Sequence, residues 1–276
     1  MVFQRRVFEA LHGRVDPGLL GLLGSAALTT RQREPCVMRY DDGFWIHRYR
    51  GGTVVKDRPS GVTARAQDEA AREVFLFDYV PRPGDIVFDV GAGMGEEVRL
   101  LSRLVGGTGR VVGGTGRVVG IEAHPVTFRG LRKAIQLNRL ANVTALQCAV
   151  TGRDETVGIE DRAAYQSNGL TPEGGIPVPG RALAGIMAGL DVDRIDLLKM
   201  NIEGGELDAL RGAVGMLESV EHLVVSCHDF KADRLGSDRL RTFEPVSRLL
   251  AEAGYRVRTR RDHPVACVRD YVYASR

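Results

Sequence analysis

The chain has 276 residues, of which 43% are hydrophobic and 26% charged, with a formal net charge of +3, the balance of an ordinary globular protein of one or two domains. Only four of its 38 basic residues are lysine (Lys56, Lys133, Lys199 and Lys231), and no basic stripe is interleaved with aromatics, which argues against a nucleic-acid partner. Cys36, Cys148, Cys227 and Cys267 are scattered without a CxxC pair, which points to reduced thiols rather than a disulfide frame or zinc site.

The first 34 residues read as one or two short helices, with Phe3, Val7, Phe8 and Leu11 at helical spacing. The apolar stretch Leu19 to Leu28 is too short, and too weakened by Gly21, Gly24 and Ser25, for a signal peptide or membrane span, so a cytoplasmic protein is expected. A β-rich passage follows, Val37 to Val55, broken at Asp41-Asp42-Gly43 and Gly51-Gly52 into hairpins. Residues 1–65 thus form a helical and β-hairpin extension ahead of a main domain over 66–276. A helix over Gln67–Tyr79, stopped by Pro81 and Pro83, opens that domain.

From Asp85 onward strands alternate with helices. The predicted strands are Ile86–Val90, Val118–Glu122, Val143–Cys148, Ile195–Ile202, His222–Cys227, Tyr255–Thr259 and Ala266–Tyr273. The predicted helices are Gly95–Leu104, Pro125–Arg139, Arg181–Gly189, Glu206–Glu218 and Pro245–Gly254. This rhythm implies an α/β fold, a doubly wound and mostly parallel seven-stranded sheet. Residues 151–180, rich in Gly and Pro, break the rhythm and read as a long functional loop, either a substrate lid or a surface excursion. Val105–Val111 is repeated without change as Val112–Val118, a seven-residue insertion at the end of the sheet away from a ligand crevice.

The stretch Asp85 to Glu97 joins a β-rich run to a helix through Gly91-Ala92-Gly93-Met94-Gly95, a turn that leaves a helix N-terminus open to a ligand. The glycine spacing differs from the G-x-G-x-x-G of dinucleotide enzymes. Asp89 lies at the lip of the strand, and Glu122 ends the next one, where a carboxylate can accept from both hydroxyls of a ribose. Gly91 and Glu122 are 31 positions apart, seven of them owed to the repeat, which leaves an offset near the ~20 expected of such an acid. A crevice with acids and no phosphate-binding cation suits S-adenosylmethionine, although NAD would also accept Glu122 on its ribose.

Two motifs together resemble the FkbM family of methyltransferases: Phe88-Asp89-Val90-Gly91-Ala92-Gly93-Met94-Gly95 and Leu198-Lys199-Met200-Asn201-Ile202-Glu203-Gly204-Gly205-Glu206. Gly120-Ile-Glu-Ala-His-Pro125 and Leu137-Asn138 fit between them, so the resemblance spans about residues 70–230. Asn201 stands where the family usually has Asp. The resemblance implies a class I Rossmann-like methyltransferase that moves a methyl group from S-adenosylmethionine, commonly to a hydroxyl of a sugar or secondary metabolite. The partner expected is therefore a small hydroxylated acceptor, with a homo-oligomer left open. The cofactor set is Asp89, Gly91, Ala92, Gly93, Met94, Glu122, Ala123, His124, Cys148 and Ala149. For chemistry the candidates are His228, at the end of the fifth strand, with Glu203 and Asn201. Here His228 is read either as a neutral general base or as a structural residue bonded to Asp229 or to backbone. Nothing in the spacing of Glu203, His228 and Asp229 demands a metal. An NAD-linked oxidoreductase and a noncatalytic nucleotide-binding domain are the competing readings.

Overall fold

The computed structural model describes residues 11, 14–106, 116–162, 168–171 and 174–276. The predicted first helix, with Phe3, Val7 and Phe8, and most of the duplicated heptapeptide lie outside them. Helix α1 (Pro17–Gln32) starts with Pro17 in its first turn, after Asp16 whose side chain accepts from the Leu19 amide. Strands β1 (Val37–Asp41), β2 (Phe44–Tyr49) and β3 (Gly52–Lys56) form the expected antiparallel meander, turned at Asp42-Gly43 and at Gly51. Helix α2 (Ala64–Val74) begins earlier than predicted because Thr63 caps it, accepting from the Ala66 amide.

The seven-stranded sheet has the order β13-β14-β12-β11-β4-β5-β6. Its strands are β4 (Ile86–Val90), β5 (Arg117–Ile121), β6 (Val143–Leu146), β11 (Ile195–Met200), β12 (Val220–Ser226), β13 (Arg256–Thr259) and β14 (Tyr271–Ser275). Strands β6, β5, β4, β11 and β12 run parallel, and β14 is antiparallel to both of its neighbours. Alternate residues of each central strand enter opposite faces. Val87, Val118, Leu197 and Val224 pack into one apolar layer, and Phe88, Val119, Leu198 and Val225 into the other. Both faces are covered, which is why these strands read as unbroken apolar runs. The chain leaves β4 toward β5 and β6 and returns on its other side as β11. The switch point, where open α/β sheets hold ligands, is therefore at the carboxyl ends of β4 and β11.

Around the sheet run α3 (Val98–Leu104), α4 (Pro125–Asn138), α5 (Leu183–Gly189), α6 (Glu206–Ala213), α7 (Asp229–Leu235), α8 (Phe243–Glu252) and the short α9 (Ala266–Arg269). Two predictions are corrected. Residues 151–180 are not an irregular loop: with β7 (Ala149–Val150) they contribute β8 (Glu155–Ile159), β9 (Leu170–Thr171) and β10 (Ile176–Arg181) to a second sheet of order β7-β10-β8-β9. Pro177 and Pro179 disguised it; they occupy the part of β10 that pairs with β8 alone, the edge position a strand proline tolerates. The strand predicted over Ala266–Tyr273 starts only at Tyr271, because Ala266–Arg269 form α9 and Asp270 then accepts from the Phe230 amide.

The N-terminal meander is tied to the main sheet through side chains. Asn138 accepts from the Thr53 amide and donates to the Thr53 carbonyl, both at 2.8 Å. Buried Arg99 donates to the carbonyls of Gly51 and Ala64 and pairs with Asp68. The two ends of the repeat meet where the Gly116 amide donates to the Val105 carbonyl, at the amino end of β4 and β5, on the side of the sheet remote from the switch point.

Candidate active site

A cavity of about 310 Å³ opens at the carboxyl ends of β4, β5, β11 and β12, a size suited to a small molecule. One wall is the turn after β4. Gly91 has φ +76°, and a Cβ there would lie 2.0 Å from the Asn201 carbonyl oxygen, so the two motifs leave the sheet in direct contact. Gly93, also left-handed, donates its amide to Glu122 Oε2 at 3.0 Å, while Glu122 Oε1 accepts from the His124 amide at 2.9 Å. Both carboxylate oxygens are thereby aimed, each with a lone pair to spare. Burial pushes the Glu122 carboxyl up to about 7 against the lowering effect of those two amides.

Beneath the turn, Asp89 and Lys199 are register partners on adjacent strands, and both are fully buried. The Lys199 ammonium lies 2.7 Å from Asp89, 3.0 Å from the Gly91 carbonyl oxygen and 3.8 Å from Glu97. Burial opposes that charge, yet the two carboxylates raise the Lys199 pKa above its ordinary value. Glu97, which lines the cavity, is pushed up to about 7 by burial, with Lys199 pulling the other way.

On the opposite side, the turn from β11 into α6 carries Asn201 and Glu203. Glu203 has φ +56°, a left-handed backbone that costs a non-glycine residue roughly 1–2 kcal/mol. Its Oε2 meets Lys231 at 2.5 Å and its Oε1 meets His228 Nε2 at 3.2 Å. The other imidazole nitrogen, Nδ1, faces Glu206 Oε1 at 3.0 Å. Burial disfavours a charged imidazole, but the nearby carboxylates of Glu203 and Glu206 outweigh it and push His228 up to about 9. Glu203 is held below the usual carboxylate range, its burial outweighed by His228 and Lys231.

Gly91, Ala92, Gly93, Glu122, Ala123, Cys148, Ala149, Asn201, Glu203 and His228 all line the cavity, as the sequence places them. Three expected cofactor contacts do not. Asp89 is consumed by Lys199, and Met94 packs beside Phe44 and Ile46 of the meander. His124 caps α4 through Thr127 and faces Asp161. His228 does line the cavity, where it meets Glu203 and Glu206 rather than Asp229, and those two carboxylates favour its charged form. Asp229 instead accepts from the Thr242 and Phe243 amides. Lining residues that sequence reasoning passed over include Glu97, Asn168, Lys231, Cys267 and Tyr271. Glu97 follows the glycine turn and Lys231 lies three residues after His228, so both were within reach. Tyr271 and Cys267 come from the antiparallel tail, for which no local signal exists. Among the described residues no group of His, Cys, Asp or Glu is arranged to hold a metal.

The Methyltransferase FkbM domain family matches residues 89–257. No curated protein matches the chain. Among solved structures, fibrillarin of Aeropyrum pernix, determined with natively bound S-adenosyl-L-methionine, is 14% identical with a TM-score of 0.45, over 87% of this chain and 98% of its own. The precorrin-6y C5,15-methyltransferase of Geobacter metallireducens is 16% identical with a TM-score of 0.42, over 76% and 85%. A S-adenosylmethionine-dependent methyltransferase of Aquifex aeolicus is 16% identical with a TM-score of 0.40, over 76% and 95%.

The cavity suits S-adenosylmethionine. Four carboxylates line it: Glu96, paired with Lys56, Glu97, beside Lys199, Glu203, paired with Lys231, and Glu122, which meets only backbone amides. Glu122 has lone pairs for two ribose hydroxyls, and Asn201 Oδ1 is buried without a hydrogen-bond partner. The family match begins at the aspartate that anchors the β4 turn and runs past both motifs over more than half of the molecule, and the cavity those motifs build has the chemistry the match requires: this chain belongs to the FkbM methyltransferase family.

Proposed function

We propose that this S-adenosylmethionine-dependent methyltransferase is an O-methyltransferase whose acceptor is a neutral hydroxylated small molecule, a sugar or secondary metabolite, in the cytoplasm. One observation carries the reading: among the described residues, each cation lining the cavity is already matched by a carboxylate. Lys199 is held by Asp89, Lys231 by Glu203, and His228 by Glu203 and Glu206. Arg239, beside the lining residue Leu170, donates to its carbonyl. A phosphate-bearing acceptor such as RNA calls for cations free to clamp it, and an uncharged alcohol does not. The four free thiols suit a reducing compartment.

Bound S-adenosylmethionine supplies an electrophilic methyl group on sulfur. Glu122 and the Gly91–Gly93 turn would hold the cofactor's ribose end. Glu203 would accept the hydrogen bond of the acceptor hydroxyl and orient its lone pair, a positioning effect that contributes up to ~7–11 kcal/mol in well-aligned reactions. It would take the hydroxyl proton as the oxygen–methyl bond forms and the sulfur–methyl bond breaks. His228 Nε2, 3.2 Å from Glu203 Oε1, helps hold that carboxylate below the usual range. Asn201 offers its free Oδ1 to the cofactor or acceptor.

The test is transfer of labelled methyl from S-adenosylmethionine to a panel of glycosides and hydroxylated metabolites, with matched amines and RNA as competitors. Label in the hydroxyl compounds is expected; label confined to amines or RNA refutes the acceptor class. In a thermal shift assay S-adenosylhomocysteine stabilises the chain and NAD does not. The opposite outcome would favour the oxidoreductase reading.

A further inference from the structure

Glu206, the first residue of α6, has no exposed surface. A carboxylate at a helix start ordinarily serves the helix's own amides; this one reaches back and across. Its Oε1 accepts from the Ile202 and Gly204 amides, both at 3.2 Å, and meets His228 Nδ1 at 3.0 Å. Its Oε2 accepts from the Thr242 hydroxyl of the segment leading into α8.

The two amides flank Glu203, whose left-handed backbone non-glycine residues avoid. The ring that Glu206 touches presents its other nitrogen to the Glu203 carboxylate. Glu206 thus grips Glu203 twice, once through the backbone on both sides and once through the imidazole. The charged groups facing that ring are Glu206 from α6, Glu203 from the turn and, behind Glu203, Lys231 of α7; the Phe230 ring is 6.0 Å away. Glu206 itself does not border the cavity.

We propose that Glu206 is a positioning residue which, through the His228 imidazolium and the Ile202 and Gly204 amides, holds Glu203 ionised and turned toward the acceptor. The assignment rests on the reading of Glu203 as the acceptor-facing carboxylate. It also makes His228 a fixed charge within a carboxylate–imidazolium–carboxylate row rather than the group that takes the proton.

The experiment is side-chain NMR of the full chain carrying 15N-labelled histidine, with His228 assigned by the signals lost in His228→Asn. The expected result is a wild-type His228 carrying two ring protons at neutral pH. In Glu206→Gln its midpoint falls by at least about one pH unit, a roughly tenfold loss of proton affinity, while S-adenosylhomocysteine still raises the Tm. A singly protonated wild-type ring, or a smaller shift in Glu206→Gln, overturns the proposal. If Glu206→Gln does not fold, Glu203→Gln leaves Glu206 alone against the ring. A His228 midpoint still above its ordinary 6.5 is then expected, and one at or below 6.5 overturns the assignment. None of these readings needs an acceptor. A chain that labels no hydroxyl compound yet shows these midpoints would refute the proposed acceptor class and leave the coupling of Glu206, His228 and Glu203 intact.

Discussion

Replacing Lys199 by Met removes the ammonium that joins the two motifs and keeps the apolar stem. Asp89 then sits with no exposed surface and without the charge that was 2.7 Å away, and Glu97 loses its compensating partner as well. Breaking one side of a buried pair costs ~3–5 kcal/mol, because the remaining charge is left unpaired in a low-dielectric site. At 2–4 °C per kcal/mol, this is a Tm decrease of roughly 6–20 °C. The double variant Asp89→Asn with Lys199→Met removes the orphaned charge and should recover part of the loss, giving a non-additive cycle. Urea unfolding followed by far-UV circular dichroism reads all four proteins. Lys199→Met within ~1 kcal/mol of wild type, or a double variant that merely sums the singles, would refute the argument that this pair is a mutually dependent buried unit.

Glu122→Gln should weaken S-adenosylhomocysteine by roughly 10- to 100-fold in calorimetry, the equivalent of one lost charge-assisted hydrogen bond of ~1.5–3 kcal/mol. An unchanged Kd would remove Glu122 from the ribose site. Its folded pKa of about 7 lies above the ordinary 4.5, so the free native state binds more protons than the unfolded chain between those values. Stability of the free protein should therefore fall as pH rises from about 4.5 to about 7 through this group. If cofactor hydroxyls favour the ionised carboxylate, the thermal shift produced by ligand grows over the same window, and a shift independent of pH would count against that. Deleting Val105–Val111 should leave cofactor affinity within a few-fold, since the repeat's two ends lie at the opposite end of β4 and β5. Loss of binding in that deletion would show that the insertion reaches the site.

Much of the site was legible because it is local in sequence. Gly91, Ala92 and Gly93 announce a turn, and Glu122 and Glu203 announce carboxylates at strand ends. What the sequence did not carry are the contacts that depend on a partner far along the chain. Asp89 reads as a ligand-facing acid until Lys199, 110 positions later, is found beside it in register. His124 reads as a pocket residue, but the turn into α4 needs a cap and takes it. His228 reads as a base, yet an imidazole's protonation state follows its neighbours, and the two carboxylates that flank it come from the turn after β11 and from α6.

The order of apolar runs, the glycine turns and the two motifs determined by themselves an α/β sheet, a crevice at its switch point and the family. Each rests on short-range physics: backbone freedom at glycine, alternation along strands and the period of helices. Tertiary structure alone decided which buried groups carry charge. Packing set Asp89 against Lys199, joined Glu206, His228 and Glu203 into one row, and brought Leu170 of a second sheet hidden by its prolines, with the adjoining Asn168, to the cavity wall. Electrostatic energy depends on distance and burial, and neither exists until the chain has folded.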